Sequence, residues 1–298
     1  MIVEVTDRMS NAQPLTVEDL ECFFNIFRRI MDDKFDKFYN LLLYRNKPSD
    51  KIPAAHQIEA LERLDEWFRE QRDMHSGSIL VLPAGGGKTF ATVRFLCTSP
   101  LSKGYKVLWL AHTHHLLEQA FHAFESEVKH ISLRQTRLDV RVVSGIARHY
   151  SIEEIKKTDN VLIATLQTLT RAYKRKQPKL EAFFKSANDK LFVVFDEAHH
   201  SPSPTYRQLI IALQERFPKM YLLGLTATPT YSKQYRYGWL EKLFPQRILY
   251  QVTAQQLMVA IILYKPEIEY PKTNFESPVF EAKYIKNSLK ITKIYWRT

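Results

Sequence analysis

Short apolar runs recur along the chain between residues 79 and 226 and alternate with amphipathic stretches. Each run is continuously apolar, which is typical of strands covered on both faces. Because helical segments separate most of the runs, the pattern predicts βα units around a mostly parallel sheet sandwiched by helices, an α/β fold. The predicted strands are ILVLP, KVLWLA, RVVSG, NVLIAT, LFVVFD and YLLGLT.

The region before this domain has a different pattern, that of an amphipathic helix. Thr16 is a candidate N-cap, and acidic residues follow it in the first turn. NKPSDKIP, at residues 46–53, breaks the pattern and predicts a linker. We therefore predict a helical N-terminal extension over residues 1–50 and an α/β domain over residues 51–266. The apolar positions of the predicted helix are Leu20, Phe23, Phe24, Phe27, Ile30 and Met31.

Residues 267–298 form a basic C-terminal tail. Lys283, Lys286, Lys290 and Lys293 follow at steps of three and four residues, which would line one face of a helix with positive charge. A solvated helix face, or a segment without fixed structure, is the favoured interpretation. A stripe that contacts phosphate is the alternative.

The composition narrows the class of protein. Hydrophobic residues make up 45% and charged residues 25% of the chain, as in ordinary globular proteins. The two cysteines, Cys22 and Cys97, form no CxxC pair, which disfavours a disulfide scaffold or a thiolate zinc site and favours a reducing compartment. No apolar run approaches the roughly 20 residues needed to span a bilayer. We expect a cytoplasmic protein without a signal peptide or membrane contact.

The chain is basic, with 43 Lys and Arg against 32 Asp and Glu and a formal net charge of +11. Such an excess favours a polyanionic partner, above all nucleic acid. A merely basic surface is the alternative, because net charge alone concerns only non-specific association.

One glycine-rich segment, PAGGGKTFA at residues 83–91, carries the pattern of a phosphate-binding loop. Glycine N–H groups can converge on phosphate oxygens, and the start of the following helix adds its positive end. Lys88 would reach the β and γ phosphates, and the Thr89 hydroxyl would help to ligate Mg²⁺. The common pattern GxxxxGK[ST] requires glycine where this chain has Leu82, so the loop fits a shorter variant. Its residues are Ala84, Gly85, Gly86, Gly87, Lys88 and Thr89.

A second strand end carries VVFDEAHHSP, where two acids and two histidines follow an apolar run. A phosphate-loop enzyme needs one acid to hold Mg²⁺ and another to orient or deprotonate the attacking water. Asp196 suits the first role and Glu197 the second. A metal site that also includes His199 and His200 is the alternative. It fits less well, because adjacent strand residues point to opposite faces and the histidines lack i, i+4 spacing.

Together these segments resemble the superfamily 2 helicases and translocases of the DEAH-box branch. They are most similar to the helicase subunits of type I and type III restriction enzymes and to related DNA-repair helicases. The resemblance extends from about Ile52 to about Pro266 and implies a RecA-like fold and ATP hydrolysis coupled to nucleic acid. DNA is favoured over RNA because the similar families act on DNA. The matching segments are IPAAHQIEALERL, AGGGKT, VLWLAHTHHLLEQA, VLIATLQTL, DEAHH and LTATP.

The resemblance also implies roles for single residues. Gln57 would recognise adenine, Thr89 and Asp196 would hold Mg²⁺, and Glu197 would activate water. His199 belongs to the same catalytic motif. Relatives often have arginine at position 113, so the threonine there removes a cationic contact with the nucleic-acid backbone. The residues that would couple the nucleotide to nucleic acid are His112, Thr113, Thr165, Gln167, Thr226 and Thr228.

Motors of this kind use a second RecA-like domain, which supplies arginine fingers. Only about 30 residues follow Pro266, too few for such a domain. Arginine fingers contribute about 10³- to 10⁵-fold in rate. We therefore expect this chain to bind ATP and hydrolyse it poorly by itself, with a second polypeptide as a candidate partner. The alternative function is an ATP-responsive nucleic-acid-binding or partner-docking subunit with little motor activity.

Overall fold

The computed structural model describes seven stretches of the chain. The helix predicted after Thr16 and the basic tail lie outside them, and so does the boundary predicted after residue 266; all three stay predictions. The chain divides into two compact units after Val252. Within the described stretches, no helix is both long and apolar enough to cross a membrane. The described residues are 34–44, 51–70, 76–132, 135–200, 203–228, 242–245 and 248–260.

The first unit is built on one eight-stranded sheet. Its strands are β1 (Asp36–Asn40), β2 (Ser76–Val81), β3 (Lys106–Ala111), β4 (Arg137–Val143), β5 (Val161–Thr165), β6 (Leu191–Asp196), β7 (Tyr221–Thr226) and β8 (Ile248–Gln251). Their order across the sheet is β1-β4-β5-β3-β6-β7-β2-β8. Every neighbouring pair is parallel except β1 and β4, which are antiparallel. The mostly parallel sheet is therefore confirmed, and the six strands predicted from apolar runs correspond to β2 through β7.

Helices connect most of the strands. In the first unit they are α1 (Leu41–Tyr44), α2 (Ala55–Glu70), α3 (Lys88–Thr98), α4 (His114–Glu127), α5 (Leu166–Lys174), α6 (Pro178–Ala187) and α7 (Pro204–Arg216). In the second unit, α8 (Ala254–Val259) begins after a capping box. There the Thr253 hydroxyl accepts from the Gln256 N–H, and the Gln256 side chain accepts from the Thr253 N–H. Single 3₁₀ turns cover Leu101–Lys103, Val128–His130, Ile152–Glu154 and Ala198–His200.

Both faces of the sheet are covered, as β6 illustrates. The ring centroid of Phe192 lies 6.0 Å from that of Trp67 in α2 and 5.8 Å from that of Phe95 in α3. Val193 and Phe195 point to the opposite face and join the apolar cluster formed with α5, α6 and α7. Because all six residues of β6 are buried, the strand has the continuous apolar sequence of a central parallel strand. Fully burying each large apolar side chain contributes about 1.5 to 3 kcal/mol.

The first strand corrects one prediction. Residues 36–40 were predicted to belong to a helical extension, but they form β1, which pairs with β4 at the edge of the sheet. Their side chains alternate as strand residues do: Tyr39 is fully buried, whereas Phe38 is 55% exposed. The Asp36 carboxylate accepts a hydrogen bond from Arg141 of β4 at 3.1 Å. Pairing with β4 therefore overrides the helical spacing of this segment.

Candidate nucleotide-binding site

Three neighbouring strands end together at the carboxyl edge of the sheet. In the register of β6, β7 and β2, Asp196 lies beside Leu225, and Thr226 lies beside Val81. Since neighbouring strands are about 4.8 Å apart, β6 and β2 are separated by about 10 Å, with β7 between them. The loop after β2 and the carboxylate that ends β6 therefore open onto the same edge. Ligands of such sheets bind at this edge.

The loop between β2 and α3 has the backbone of a phosphate cradle. Gly85 and Gly87 have φ values of 77° and 80°, in the left-handed region that glycine adopts most readily. The Gly86 N–H donates to the Pro83 carbonyl at 3.0 Å and so closes the turn. A Cβ atom added at Gly87 would lie 2.3 Å from Gln57 Nε2. Gly87 is the N-cap of α3 and has no side-chain cap, so the first N–H groups of the helix face the cradle.

Lys88 and Thr89 occupy the first turn of α3 and are partly exposed. The Lys88 ammonium lies close enough to Asp196 to lower the pKa of that carboxyl group. Within the described stretches the two groups form no direct ion pair. A hydroxyl and a carboxylate are the oxygen ligands that Mg²⁺ prefers. The residues present therefore fit a Mg²⁺ ion bound with a phosphate chain.

Asp196 is only 3% exposed. Burial, followed by the charge of Glu197, raises its pKa to about 6, against the opposing effects of Lys88, the Glu197 N–H and the Trp109 indole. The Glu197 N–H donates to Asp196 Oδ1 at 3.0 Å. An ionised carboxylate in such a place is costly unless a cation is bound beside it. This environment supports the fit of the site to a metal ion.

Glu197 begins a sharp turn out of the sheet, with a left-handed φ of 55°. Such a conformation costs a non-glycine residue about 1 to 3 kcal/mol. Its Oε2 atom lies 3.2 Å from His199 Nδ1, which is also 3.2 Å from Thr226 Oγ1. The Thr226 hydroxyl donates to the Thr228 carbonyl at 3.0 Å. These four residues form a connected set across the ends of β6 and β7.

The alternative metal site of Asp196, Glu197, His199 and His200 stays a prediction, because the His200 side chain lies outside the described part of the chain. Across the stretches that the structure describes, no group of three or more His, Cys, Asp and Glu residues is arranged to hold a metal ion. Asp196 is buried, whereas the adjacent Glu197 is partly exposed.

The start of α2 packs against the glycine loop. Gln57 Oε1 accepts from the Ala54 N–H at 3.0 Å, and Gln57 Nε2 donates to the Gly86 carbonyl at 3.3 Å. His56 Nε2 donates to the same carbonyl at 2.9 Å. His56 is 5% exposed, and its buried Nδ1 atom has no hydrogen-bond partner among the described residues. Sequence reasoning missed His56, and the only signal for it was its place beside Gln57 at the start of an amphipathic helix.

The predicted nucleic-acid contacts lie farther along the same sheet edge. Ala111, which ends β3, is in register with Thr165, which ends β5. Thr113 is exposed and is the N-cap of α4, directly after the half-buried His112. Thr165 is buried and caps α5 by accepting from the Thr168 N–H, and Gln167 is exposed in the first turn of that helix. Thr226 and Thr228 lie beyond β6, nearer to the glycine loop.

This strand order and the glycine loop define a RecA-like α/β fold. The fold is similar to that of the helicase domain of Pyrococcus furiosus Hef, with a TM-score of 0.51 at 21% identity over 73% of this chain and 41% of that one. Residues 50–231 match the family described as type III restriction enzyme, res subunit (ResIII). The chain therefore belongs to this family and contains a superfamily 2 helicase-like RecA domain.

Two further solved structures are similar at lower TM-scores. One is the ATP-dependent Type ISP restriction-modification enzyme LlaBIII bound to DNA, with a TM-score of 0.45 at 18% identity over 71% of this chain and 16% of that one. The other is S. cerevisiae Dbp5 bound to RNA and ADP BeF3, with a TM-score of 0.49 at 17% identity over 72% of this chain and 50% of that one. The chain thus spans half or less of each of these structures. Among proteins of curated function, none matches it in sequence.

Proposed function

We propose that this chain is the ATP-binding motor domain of a DNA helicase or translocase, in which hydrolysis of Mg²⁺-bound ATP is coupled to nucleic-acid binding. One observation carries the proposal. The strand order brings the glycine cradle and the buried Asp196 carboxylate to one sheet edge, and the Lys88 ammonium lies close enough to Asp196 to lower the pKa of that carboxyl group. Membership of the ResIII family supports the same assignment.

Each residue of the nucleotide site has a distinct part in this proposal. The N–H groups at the start of α3 donate to phosphate oxygens, and Lys88 binds the terminal phosphates. The Thr89 hydroxyl and the Asp196 carboxylate would hold Mg²⁺, which when bound would neutralise charge on the phosphate oxygens. Glu197 orients the attacking water and accepts its proton at a carboxylate oxygen.

His199 holds Glu197 in position for this step. The Thr226 hydroxyl proton is directed to the Thr228 carbonyl, so Thr226 Oγ1 accepts from His199 Nδ1. The Nδ1 atom therefore carries the proton and also donates toward Glu197 Oε2. Through this set, a shift of the β7 end on nucleic-acid binding would move the base that handles the water.

His56 and Gln57 position the glycine loop through hydrogen bonds to its backbone. Both donate to the Gly86 carbonyl, which fixes the peptide that follows and directs its N–H toward the phosphate position. Gln57 keeps one amide hydrogen and one oxygen lone pair for adenine, since its Oε1 and Nε2 atoms each make one hydrogen bond with the described part of the protein. Recognition of the base would in this way be linked to the geometry of the loop.

We also propose that groups from a second RecA-like domain, in the same or another polypeptide, complete the site. The rate of this chain alone would then be low, because arginine fingers contribute about 10³- to 10⁵-fold.

The test is steady-state ATPase activity measured with and without single-stranded DNA, duplex DNA and RNA. Wild-type protein should show turnover stimulated by DNA, and the stimulation should disappear in Lys88→Ala and Glu197→Gln. Nucleotide binding without any turnover in the wild type would instead support an ATP-responsive binding subunit or a site that requires the second RecA-like domain. Turnover that survives Lys88→Ala would overturn the assignment of the site.

A further inference from the structure

The end of α5 and the start of α6 carry a dense group of cations. The segment RAYKRKQPK at residues 171–179 contains five Lys and Arg and no acid. All five are exposed, and within the described stretches none of them forms an ion pair. Nearby Arg216, by contrast, pairs with Glu181 at 2.8 Å. We call this group the basic corner; its members are Arg171, Lys174, Arg175, Lys176 and Lys179.

The basic corner continues an exposed face of α5. Gln167, Arg171 and Lys174 are exposed and follow one another at steps of four and three residues, which places them on one side of the helix. The opposite side is buried and packs on the apolar cluster through Leu166 and Leu169. Nine residues of helix span about 14 Å. The exposed face therefore leads from Gln167, at the carboxyl edge of the sheet, to Arg171 about 6 Å and Lys174 about 10 Å farther along the helix axis.

Helix stability accounts for only part of this charge. Arg171 and Lys174 lie in the last turn of α5, where cations interact favourably with the helix dipole. Lys179 lies in the first turn of α6, where the same dipole disfavours a cation. Lys176 lies between the helices with a left-handed φ of 48°, a conformation that favours glycine or asparagine. The positive charge at the corner thus needs another explanation.

The chemistry of the surface favours a phosphate backbone over an acidic protein. Protein interfaces are anchored by buried aromatic or apolar side chains. Tyr173, the aromatic residue of this segment, is partly buried, and its hydroxyl donates to the Ala212 carbonyl at 3.3 Å. Cations one helical turn apart are about 5 to 6 Å from each other. Along the axis of a duplex, the phosphates of one strand follow at intervals of about 3.4 Å. Successive cations of the helix can therefore reach successive or alternate phosphates.

We propose that the exposed face of α5 and the basic corner form a track for the nucleic-acid backbone, which extends the candidate contacts at the sheet edge without reading sequence. This inference rests on the proposed function, because the track begins at Gln167 on the edge where nucleic acid is proposed to bind. Beyond Gln167, it adds cations that lie outside every segment of the resemblance.

The test compares two triple variants of the full chain that remove the same charge. One is Arg171→Gln, Lys174→Gln and Arg175→Gln, within the track. The control is Lys156→Gln, Lys157→Gln and Lys219→Gln, all exposed and outside it. Fluorescence anisotropy gives the affinity for labelled single-stranded DNA, duplex DNA and RNA between about 50 and 200 mM salt. Thermal unfolding of both variants checks that they are folded.

The track variant should bind at least about tenfold more weakly at low salt, and its salt slope should fall by about 2 to 3 on duplex, or about 2 on a single strand. The control should keep the wild-type slope. The nucleic acid that shows the largest difference identifies the backbone which the track holds.

Two results would overturn the proposal separately from the proposed function. If wild-type protein binds nucleic acid and the track variant keeps the same slope as the control, the track is refuted while the motor assignment stands. If the track variant loses affinity only for an acidic polypeptide such as polyglutamate, the partner is a protein. Failure of the wild type to bind any nucleic acid would refute both proposals, and the ATPase assay would show this independently.

Discussion

His199 Nδ1 lies 3.2 Å from Thr226 Oγ1, so side chains join the carboxyl ends of β6 and β7. The strands are already neighbours in the sheet. The side-chain contact adds a link between the candidate base on one strand and the segment after the other. A displacement at either strand end would therefore change the position of Glu197, whose carboxylate lies 3.2 Å from His199 Nδ1.

Substitution of Thr226 tests this link. Thr226→Val keeps the shape but removes the hydroxyl, so His199 and the Thr228 N–H lose a partner. A lost hydrogen bond of about 1 to 1.5 kcal/mol corresponds to a five- to tenfold fall in nucleic-acid-stimulated ATPase, roughly, with nucleotide affinity unchanged. Thr226→Ser keeps the hydroxyl and should stay near wild type. Equal losses in the Val and Ser variants would argue against the link.

Glu197→Gln separates binding from turnover. The change removes a proton acceptor and leaves the glycine cradle and Lys88 intact, so nucleotide affinity should persist while turnover falls by about 10²- to 10⁴-fold. Equilibrium binding of a fluorescent ATP analogue and a phosphate-release assay measure the two effects. Lys88→Ala is the control that should lose both. A parallel loss of binding and turnover in Glu197→Gln would contradict the role of the base.

His56 is expected to position the phosphate loop. His56→Phe keeps a ring but removes the donor to the Gly86 carbonyl, which should weaken ATP binding by about five- to tenfold. His56→Gln places a donor near the position of Nε2 and should restore most of the affinity. The measurement is the KM for ATP and the kcat of each variant. A purely structural loss would reduce the activity of the Phe and Gln variants alike, whereas loss of the hydrogen bond would raise the KM of the Phe variant only. Wild-type affinity in the Phe variant would exclude the role.

The raised pKa of Asp196 predicts a pH-dependent stability. Its folded pKa of about 6 exceeds the unfolded value of about 4, so ionisation of this carboxyl destabilises the fold as pH rises from 4 to 6. Asp196→Asn removes this effect and should be more stable than wild type by up to about 3 kcal/mol at pH 7.5, with little difference at pH 4. Urea unfolding without nucleotide and Mg²⁺ measures it. A difference independent of pH would count against the shift.

Gly224 of β7 packs closely against Ala198 and Phe244. A Cβ atom there would lie 2.8 Å from Ala198 Cβ and 2.8 Å from Phe244 Cε1. Gly224→Ala should therefore destabilise the domain by about 1 to 3 kcal/mol through overpacking. Gly145→Ala is the matched control, because a Cβ at Gly145 meets nothing within 4 Å. Thermal unfolding compares the two, and equal melting temperatures would show that the 3₁₀ turn moves aside freely.

The sequence predicted the central part of the fold because its information is local there. Continuous apolar runs mark β2 through β7, and the glycine loop marks the start of α3. The two edge strands have no such pattern. The sequence pattern of residues 36–40 predicts helix, because their strand conformation depends on pairing with β4 and on the ion pair between Asp36 and Arg141. β8 has only four residues, all partly or largely exposed, so no apolar run revealed it.

The candidate site was predicted to a similar extent. Lys88, Thr89 and Asp196 can be recognised in the sequence from their motifs. The order of the strands places them at one edge of the sheet. The contact between His199 and Thr226 depends on β6 and β7 being neighbours in register, which no local pattern encodes. His56 was missed for the same reason, because its partner is a backbone carbonyl of a distant loop.

The two edge strands have a practical consequence for recombinant expression. The family match covers residues 50–231, yet β1 and β8 lie outside it and form the two borders of the sheet. A polypeptide trimmed to the matched region would leave β4 and β2 with bare rows of N–H and C=O groups, which invite intermolecular strand pairing and aggregation. Soluble preparations of this RecA-like domain should therefore begin before Lys34 and end after Val252.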